Sequence, residues 1–551
     1  MRRYCAQTGV AFEIGEAEIE FCRSEEIPLP LLCPEVRLRR LFCSRNRSFL
    51  YTSSCTLSKK QIFSCVPPDS RFKVYDIDAW NSDAWDWHTY ARPYDFSRPF
   101  FEQFGALYAA TPKQNLAVIR STMENSDYTN GITGAKNCYL VFAASYNEDC
   151  LFCKCINHSR NLVDCIYLNK CELCYDCKDC HECYNLTCSE SCHNCPDSAF
   201  LFNCQGCSNC YGCVNLSQKK YHFFNQKLTR EEYERRLAEI DLGSHAVLQQ
   251  ERERFKRFAT LFPRKYYSGR MNERCRGNFI DHSKDCQDCA FISNSEDLHH
   301  CVWVYGAKKS FFQCAYGNGT ELIYNCGSVG EQAYNLKFCF GCWPGAHDCE
   351  YCIETCYGSH DCFGCSSVKK AEYCILNKQY TKTEYLDLLP RIKAHMLSTG
   401  EYGTFFPQTI NPHPFNRSDA FDFFPLNRAQ AEAQGYEWAE DEAPNETSPA
   451  AVLPDHIRDV TDQILNTTLI CARSGKRYKI VRKELDFYRT ANRPLPRIAP
   501  MERLRQLSSI LEVKPLIESA CAHCQSPFAS AYAGQTQNLL CEACYQNEIV
   551  G

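Results

Sequence analysis

The clearest chemical signal in this sequence is a pair of C-x-x-C motifs near its end. Cys521 and Cys524 form the first motif, and Cys541 and Cys544 form the second, after a spacer that runs from 525 to 540. Two such motifs present four thiolates to one Zn²⁺ in a tetrahedron, at about 2.3 Å from the metal. Without metal, the segment would be too short to build a core of its own. We therefore predict one structural zinc ion held by Cys521, Cys524, Cys541 and Cys544.

A second copy of this module begins the chain but lacks most of the ligands. Residues 5–9 (Cys-Ala-Gln-Thr-Gly) align with residues 471–475 (Cys-Ala-Arg-Ser-Gly). Cys55 aligns with Cys521 at the same offset of 466, without a gap. The positions of the other three thiols are occupied by Ser58, Tyr75 and Asp78. We expect this N-terminal module to be a degenerate, zinc-ribbon-like unit.

Other thiols leave one route to a metal site in the N-terminal module. Cys22 and Cys43 could complete a site with Cys5 and Cys33, whose own C-x-x-C partners are replaced by Thr8 and Val36. Cysteine and histidine are the usual ligands of structural zinc, whereas threonine and valine are not. The substitutions therefore favour a module without metal.

The chain has 42 cysteines, which can bind metal, form disulfides or fill a core as small apolar groups. The first residues lack the apolar stretch of a secretory signal, and no run is long enough to span a bilayer. We therefore expect a cytoplasmic protein without a membrane partner, in which most thiols are unpaired. The formal charge of −5 implies no bulk polyelectrolyte partner.

A strict period of three runs through the middle of the chain. Between Cys138 and Cys213 there are 17 cysteines, of which 15 stand at multiples of three. Neither a helix of period 3.6 nor a strand of period 2 explains this spacing. Short sides that bend at corners do, with every third side chain pointing into a narrow lumen and coils about 4.8 Å apart. The pattern predicts a β-solenoid lined by cysteine.

Asp-Cys or Asn-Cys pairs recur at a longer, regular interval in this array, at Cys150, Cys165, Cys180, Cys195 and Cys210. We read this interval of 15 as one coil, with the acidic or amide residue at a corner because it tolerates left-handed backbone. The dense run Cys171, Cys174, Cys177, Cys180 and Cys183 could instead bind an iron–sulfur cluster. Because such sites usually use irregular spacings, lumen filling is the simpler explanation.

A second, less regular array spans residues 275–374 and matches the first at an offset of 152. Each array is followed by an S/T-x-x-E helix start, at Thr229 with Glu232 and at Thr381 with Glu384. The predicted fold is mainly β: a two-block, cysteine-lined β-solenoid with capping helices, flanked by duplicated zinc-ribbon-like end modules.

The predicted boundaries divide the chain into eight segments. They are a degenerate zinc-ribbon-like module at 1–80, an aromatic-rich cap at 81–124 over the open end of the first array, a first β-solenoid block at 125–228, a helical connector at 229–268, a second block at 269–380, a capping helix with an irregular segment at 381–428, a solvated linker at 429–465 and a zinc-ribbon module at 466–551.

These features resemble a family of cysteine-rich repeat proteins with zinc-ribbon-like ends, found in uncultivated, candidate-phylum bacteria. The matching phrases include residues 95–104 (Asp-Phe-Ser-Arg-Pro-Phe-Phe-Glu-Gln-Phe), 145–150 (Ser-Tyr-Asn-Glu-Asp-Cys) and 210–216 (Cys-Tyr-Gly-Cys-Val-Asn-Leu). The resemblance covers nearly the whole chain. It implies intact zinc knuckles at both ends, which the N-terminal substitutions contradict, and it implies no activity.

The sequence contains no P-loop, G-x-G-x-x-G, H-E-x-x-H or G-x-S-x-G motif, and we predict no catalytic residue. We favour a non-enzymatic, zinc-binding scaffold that presents solenoid faces to a macromolecular partner, most simply a protein. One alternative is a thiol-rich metal-storage or redox protein. Another is nucleic-acid binding through the basic residues of the end modules, namely Arg37, Arg39, Arg40, Arg45, Arg47, Arg497, Arg503 and Arg505.

Overall fold

A computed structural model describes residues 1–169, 171, 189–190, 192, 194–355, 357–440, 452–536 and 538–549. Cys174, Cys177, Cys180 and Cys183 of the dense cysteine run, and residues 441–451 of the predicted linker, lie outside these ranges. The predicted fold class is confirmed: the chain forms a β-solenoid of about 19 turns with many buried cysteines and few helices. No helix in the described ranges is long and apolar enough to cross a membrane.

The N-terminal module is built from short hairpins and helices. Its elements are β1 (Arg2–Tyr4), β2 (Ala11–Glu13), α1 (Glu16–Ser24), α2 (Pro34–Cys43), β3 (Tyr51–Ser54), β4 (Gln61–Ser64), β5 (Val74–Tyr75) and α3 (Ile77–Asn81). The aromatic segment follows with α4 (Phe100–Ala110) and β6 (Lys113–Gln114), which pairs with β5.

The aromatic part of the predicted cap packs on the second block, contrary to the sequence-based expectation, whereas the end of the 81–124 range joins the first block, where Met123 pairs with Ala135. The ring of Phe100 lies 5.3 Å from that of Tyr351 and 5.4 Å from that of Phe363, both in the second block. The ammonium group of Lys369 lies 3.9 Å from the ring centroid of Trp80. The N-terminal module docks on the second block, and the aromatic chain that follows it is held there as well.

The first block stacks short parallel strands. These are β7 (Met123–Glu124), β8 (Thr129–Lys136), β9 (Tyr139–Glu148), β10 (Leu151–Asn157), β11 (Ile166–Asn169), β12 (Ser208–Tyr211) and β13 (Lys220–Phe223), followed by the antiparallel β14 (Gln226–Lys227). In the parallel ladders, Tyr139 pairs with Leu151, and Ser208 pairs with Lys220.

This register makes each coil shorter than predicted. Stacked positions in the first block are separated by 12 in the numbering, as where the Cys138 amide donates to the Ser126 hydroxyl at 3.0 Å. The prediction that the interval from Asp149 to Asp164 is one coil is therefore wrong. Two residues at that interval are separated by one full coil and one further side of three residues. Both side chains therefore still point into the lumen.

Most sides of the described coils end in left-handed backbone. The φ angles are 53° at Asn137, 51° at Leu140, 55° at Ala143, 56° at Tyr146 and 53° at Asp149, each one residue before an inward position. This conformation costs most residues about 1–2 kcal/mol and is tolerated best by Gly, Asn and Asp. The corner role predicted for the residue before cysteine is confirmed at Asp149, Asp164, Asn194 and Asn209.

Two helices, α5 (Arg230–Ala238) and α6 (His245–Ala259), connect the blocks. The connector ends in β15 (Arg264–Lys265). The second block then contains β16 (Gly269–Arg270), β17 (Gly277–Asp281), β18 (Cys289–Ser293), β19 (Glu296–His299), β20 (Val302–Tyr305), β21 (Ala307–Cys314), β22 (Thr320–Gly327), β23 (Tyr334–Lys337), β24 (His347–Glu350), β25 (His360–Phe363), β26 (Glu372–Ile375) and β27 (Lys378–Gln379).

Some coils of the second block are one residue longer. Stacked positions there can be separated by 13 in the numbering, as where the Cys339 amide donates to the sulfur of Cys326 at 3.1 Å. Tyr334 likewise pairs with His347 across two neighbouring strands. Inserted residues therefore explain the irregular cysteine spacing of this array.

Each block ends on an asparagine whose side chain replaces the next coil. The Asn225 amide both accepts from and donates to the backbone of Val214, at 2.9 Å each. Asn377, its equivalent in the second block, does the same to Ser366 at 2.8 and 2.9 Å. Helix starts follow both asparagines, as predicted: α5 is capped by Thr229, and α7 (Lys382–Ser398) by a full capping box of Thr381 and Glu384.

The rest of the chain returns across both blocks. Its elements are α8 (Ala420–Phe423), α9 (Arg428–Ala433), β28 (Leu469–Ile470), β29 (Arg477–Tyr478), α10 (Arg482–Thr490), α11 (Pro500–Ser508), β30 (Ile517–Ala520), β31 (Pro527–Ser530), β32 (Leu539–Leu540) and α12 (Glu542–Ile549). The predicted linker begins as packed chain, because Tyr436 is buried with its ring 5.1 Å from that of Phe415.

Candidate metal centre

The two C-terminal C-x-x-C motifs meet at one point. The sulfur atoms of Cys521, Cys524, Cys541 and Cys544 all lie within 4.8 Å of one another. Those of Cys524 and Cys541 are 3.6 Å apart. In a tetrahedron with metal–sulfur distances of about 2.3 Å, neighbouring sulfur atoms are about 3.8 Å apart, so the arrangement fits one ion. Among the described residues, no other group of three or more Cys, His, Asp or Glu ligands is as compact.

Short local elements place these thiols. The first motif lies in the turn between the antiparallel strands β30 and β31, where the Cys521 amide donates to the Ser526 carbonyl at 3.0 Å. The second motif begins at the end of β32, and Cys541 directly precedes α12. The Cys541 amide donates to the sulfur of Cys521 at 3.3 Å, which joins the two turns.

The same turns favour thiolate at part of the site. Burial opposes ionisation of Cys521, but backbone N–H groups of Cys524 and Cys541 outweigh it and lower the pKa of this thiol to about 6. The hydroxyl of Ser526 lowers the pKa of Cys524. A hydrogen bond to Cys524 keeps the proton on Cys544 and raises its pKa to about 12. A divalent ion would release the remaining protons, because metals bind the thiolate form.

The N-terminal copy replaces a metal with hydrogen bonds. The sulfur of Cys55 accepts from the amides of Ser58 and Asp76, at 3.2 and 3.3 Å. The Ser58 hydroxyl donates to the Asp76 carboxylate at 2.7 Å. Asp76 caps α3 as Cys541 precedes α12, so Asp76 occupies the place of Cys541. The gap-free alignment, which put Tyr75 and Asp78 at the third and fourth positions, was therefore wrong by one residue.

The alternative N-terminal metal site is not formed. Cys22 contacts the hydroxyl of Tyr324 at 3.4 Å, whereas Cys43 accepts from Ser418 at 3.8 Å. Cys5 and Cys33 lie together in a separate small cluster with Val36. Burial raises the pKa of Cys43 to about 12, as expected for an unliganded thiol in an apolar core.

The lumen thiols donate hydrogen bonds to backbone carbonyls. Cys150 donates to Glu148 in its own coil at 3.3 Å and to Ser159 in the next coil at 3.6 Å. A serine at the same phase behaves alike, since the Ser159 hydroxyl donates to Asn157 at 2.8 Å. Burial raises the pKa of Cys150 well above its usual value. Cys150 therefore fills space as a neutral thiol.

The arginines of the end modules form buried ion pairs. Arg37 lies 2.6 Å from Glu18, and its guanidinium stacks 3.4 Å from the ring centroid of Phe312 in the second block. In the C-terminal copy, Arg503 pairs with Glu484 at 2.9 Å and with Asp164 of the first block at 2.8 Å. Arg37 and Arg503 thus each contact the block that is farther away in sequence. The shared offset of 466 between Glu18 and Glu484 was a signal that the sequence reasoning missed.

Arg39 and Arg47 are also buried: Arg39 pairs with Glu35, and Arg47 lies 2.5 Å from Asp419 and 3.7 Å from the centroid of Trp303. Like Arg37 and Arg503, they are not free to contact phosphate groups.

No protein-family model matches the chain, and neither a curated protein nor a solved structure shows a significant match. The geometry of the four-thiol centre and of the solenoid is therefore what bears on function.

Proposed function

We propose that this protein is a non-enzymatic scaffold that binds one zinc ion at its C-terminal four-thiol centre and presents solenoid faces to a partner protein. The observation that carries this proposal is the filled interior. The inward side chains of the described coils pack into buried clusters along each block. Two cavities outside the lumen, one beside Phe340 and Phe406 and one beside Pro30 and Phe405, hold about 10 Å³ each, which is room for a single water molecule. A ligand larger than a water molecule fits neither of these cavities, and we expect a partner to bind on the outer surface.

Zinc is favoured by the chemistry of the donor set. Four thiolates in a closed tetrahedral arrangement are typical of structural zinc, whereas Mg²⁺ and Ca²⁺ require oxygen ligands. All four donors come from the protein, so no position is left for a substrate or an activated water. The ion would supply folding energy, and no catalytic step is assigned to it.

The second block offers the best surface for a partner. Tyr305, Tyr334 and Trp343 are 51%, 44% and 37% exposed there, and exposed aromatic side chains are enriched at protein interfaces. The side of the coils that carries Tyr334 is regular, because side chains one coil apart stack: the rings of His347 and His360, which follow Tyr334 in this stack, are 4.9 Å apart at an angle of 4°. A fixed surface binds without a large ordering cost.

The two alternatives make different demands. Metal storage requires many sites, yet the lumen thiols of the described ranges donate to carbonyls and do not form compact groups of three. Nucleic-acid binding requires free cations, yet several arginines that suggested it are paired inside the protein. Both observations favour the scaffold.

Elemental analysis combined with a thiol count in denaturant tests the metal assignment. We expect one zinc per chain and about 38 free thiols in addition to the four ligands, from the total of 42 cysteines. Many equivalents of a soft metal would support storage. A low thiol count without metal would indicate disulfides and contradict the expected cytoplasmic location.

Photo-crosslinking tests the partner surface. A photoreactive phenylalanine analogue placed at exposed Tyr334 should capture a discrete protein in cells, whereas the same analogue at buried Phe338 should not. Adducts that are destroyed by nuclease would support the nucleic-acid alternative. Absence of any adduct along the exposed aromatic residues would contradict the proposed surface.

A further inference from the structure

The four-thiol module consists of the elements from β30 to α12, residues 517–549. We infer that this module is a metal-dependent clamp that holds the two solenoid blocks together where they meet. This inference rests on the metal binding proposed above. The module contacts the chain that enters the second block and, at the same time, the last coils of the first block. Metal loading would then control how firmly the blocks are joined.

One side of the module forms a sheet with the start of the second block. β32 pairs in parallel with β15, so that the amides of Arg264 and Tyr266 donate to the carbonyls of Asn538 and Leu540, at 3.0 Å each. The hydroxyl of Tyr532 lies 2.6 Å from that of Ser268. These bonds fix the chain that leads into the first coil of the second block.

Further contacts add to this side. Asn278 in β17 donates to Tyr532 at 3.2 Å, and the guanidinium of Arg264 lies 3.7 Å from the centroid of the Tyr532 ring. The ring of Phe528 stacks on that of Tyr266 at 4.6 Å. Phe528 lies in β31, the strand after the first thiol motif, and Tyr532 closely follows that strand.

The other side of the module contacts the first block through one tyrosine. The hydroxyl of Tyr545 donates to the side-chain carbonyl of Asn215 at 3.0 Å and accepts from Asn203. Asn203 and Asn215 are stacked corner residues of adjacent coils, joined at 2.8 Å. Tyr545 follows Cys544 directly, so the position of this contact depends on the ligand beside it.

The module cannot hold this shape on apolar contacts alone. Its buried cluster consists of Cys521, Leu540, Cys544 and Tyr545, and two of these four are ligands. Small units with so little core depend on a metal for folding. The N-terminal copy differs, because Ser58 and Asp76 close its turn with hydrogen bonds. Only the C-terminal copy can therefore be opened by removing metal.

Hydrogen exchange of the full-length, zinc-loaded chain tests the clamp. Peptides that cover residues 260–270 should exchange at least about tenfold faster after the zinc is removed with a chelator, because the amides of β15 lose their partners. Trypsin should then cut after Arg264 or Lys265, which are protected while β15 is paired. Elemental analysis of the same samples records whether the metal was present and whether it was removed.

Three variants separate the steps. Cys544→Ser should abolish metal binding and release β15, whereas Cys55→Ser, the matched change in the N-terminal copy, should do neither. Tyr545→Phe should keep the zinc but speed exchange in the coils around Asn203 and Asn215. A chain that binds one zinc and keeps β15 protected after its removal would overturn the clamp alone. A chain that never binds metal would overturn the proposed zinc site as well.

Discussion

Replacing Arg503 with methionine should loosen the C-terminal module from the first block by about 3 kcal/mol. Arg503 is the cation between two buried carboxylates, with Asp164 at 2.8 Å and Glu484 at 2.9 Å. Removing one partner of a buried pair costs about 3–5 kcal/mol, because an uncompensated charge remains. The hydroxyl of Tyr488 still donates to Asp164 at 2.9 Å, so the lower end of this range is expected.

The loss should depend on pH. Burial raises the pKa of Glu484 from 4.5 to about 7, despite the opposing effect of Arg503. A raised carboxyl pKa means that the folded protein binds the proton more tightly. The free energy that protonation of Glu484 contributes to the folded state is fully present below pH 4.5, and it is lost as the pH rises through about 7. Exchange protection in the Arg503→Met variant should therefore recover partly at about pH 5.

Hydrogen exchange of peptides that cover residues 482–508 measures this effect. A change of about 3 kcal/mol corresponds to more than about 100-fold faster exchange by local opening at about pH 8. Arg505→Met is the matched control on the same helix, since this partly exposed side chain pairs with Glu502 and should contribute less than about 1 kcal/mol. Protection within fivefold of the unmodified protein, or an equal loss in Arg505→Met, would refute the reasoning.

Three further predictions concern the other end module, the block ends and the lumen. Arg37→Met leaves Glu18 without its cation, with only the Tyr324 hydroxyl donating to it, and should release the N-terminal module by about 3 kcal/mol, measured by exchange in residues 16–43. Asn377→Ala leaves the backbone of Ser366 unpaired and should lower the free energy of unfolding by about 2–4 kcal/mol in urea titration. Cys153→Ser should change stability by less than about 1.5 kcal/mol, whereas Cys153→Leu should cost about 1–3 kcal/mol by overpacking, seen as a lower Tm. Equal Tm values for these two variants would show that the lumen is not tightly filled.

The sequence was sufficient for the inward phase but not for the coil length. A side of three residues places every third side chain in the lumen, whether a coil has four sides or five. The interval from Asp149 to Asp164 therefore fits both counts, and only the hydrogen-bonded partners distinguish them. The thiol spacing was sufficient for the four-thiol group, since its ligands come from two local turns.

Contacts across the whole chain were beyond sequence reasoning. Tyr545 and Asn215 are 330 residues apart, and no local pattern connects a tyrosine in a short helix with an amide at a solenoid corner. The sequence contained a partial signal for the buried ion pair of Arg37, because Glu18 and Glu484 occupy equivalent positions in the two end modules. The contacts of Arg37 and Arg503 with the distant blocks had none, because they depend on how the two blocks are arranged.

The contact between the N-terminal module and the second block affects how the chain must fold during synthesis. Glu18 contacts Tyr324, which is made 306 residues later. At about 5–20 residues per second, the ribosome needs about 15–60 s to cover that distance. Throughout this interval, apolar side chains such as Phe21 and Phe42 lack the surface that will cover them. The segment around Glu18 is thus made early and buried late, and it is where a chaperone would be needed most.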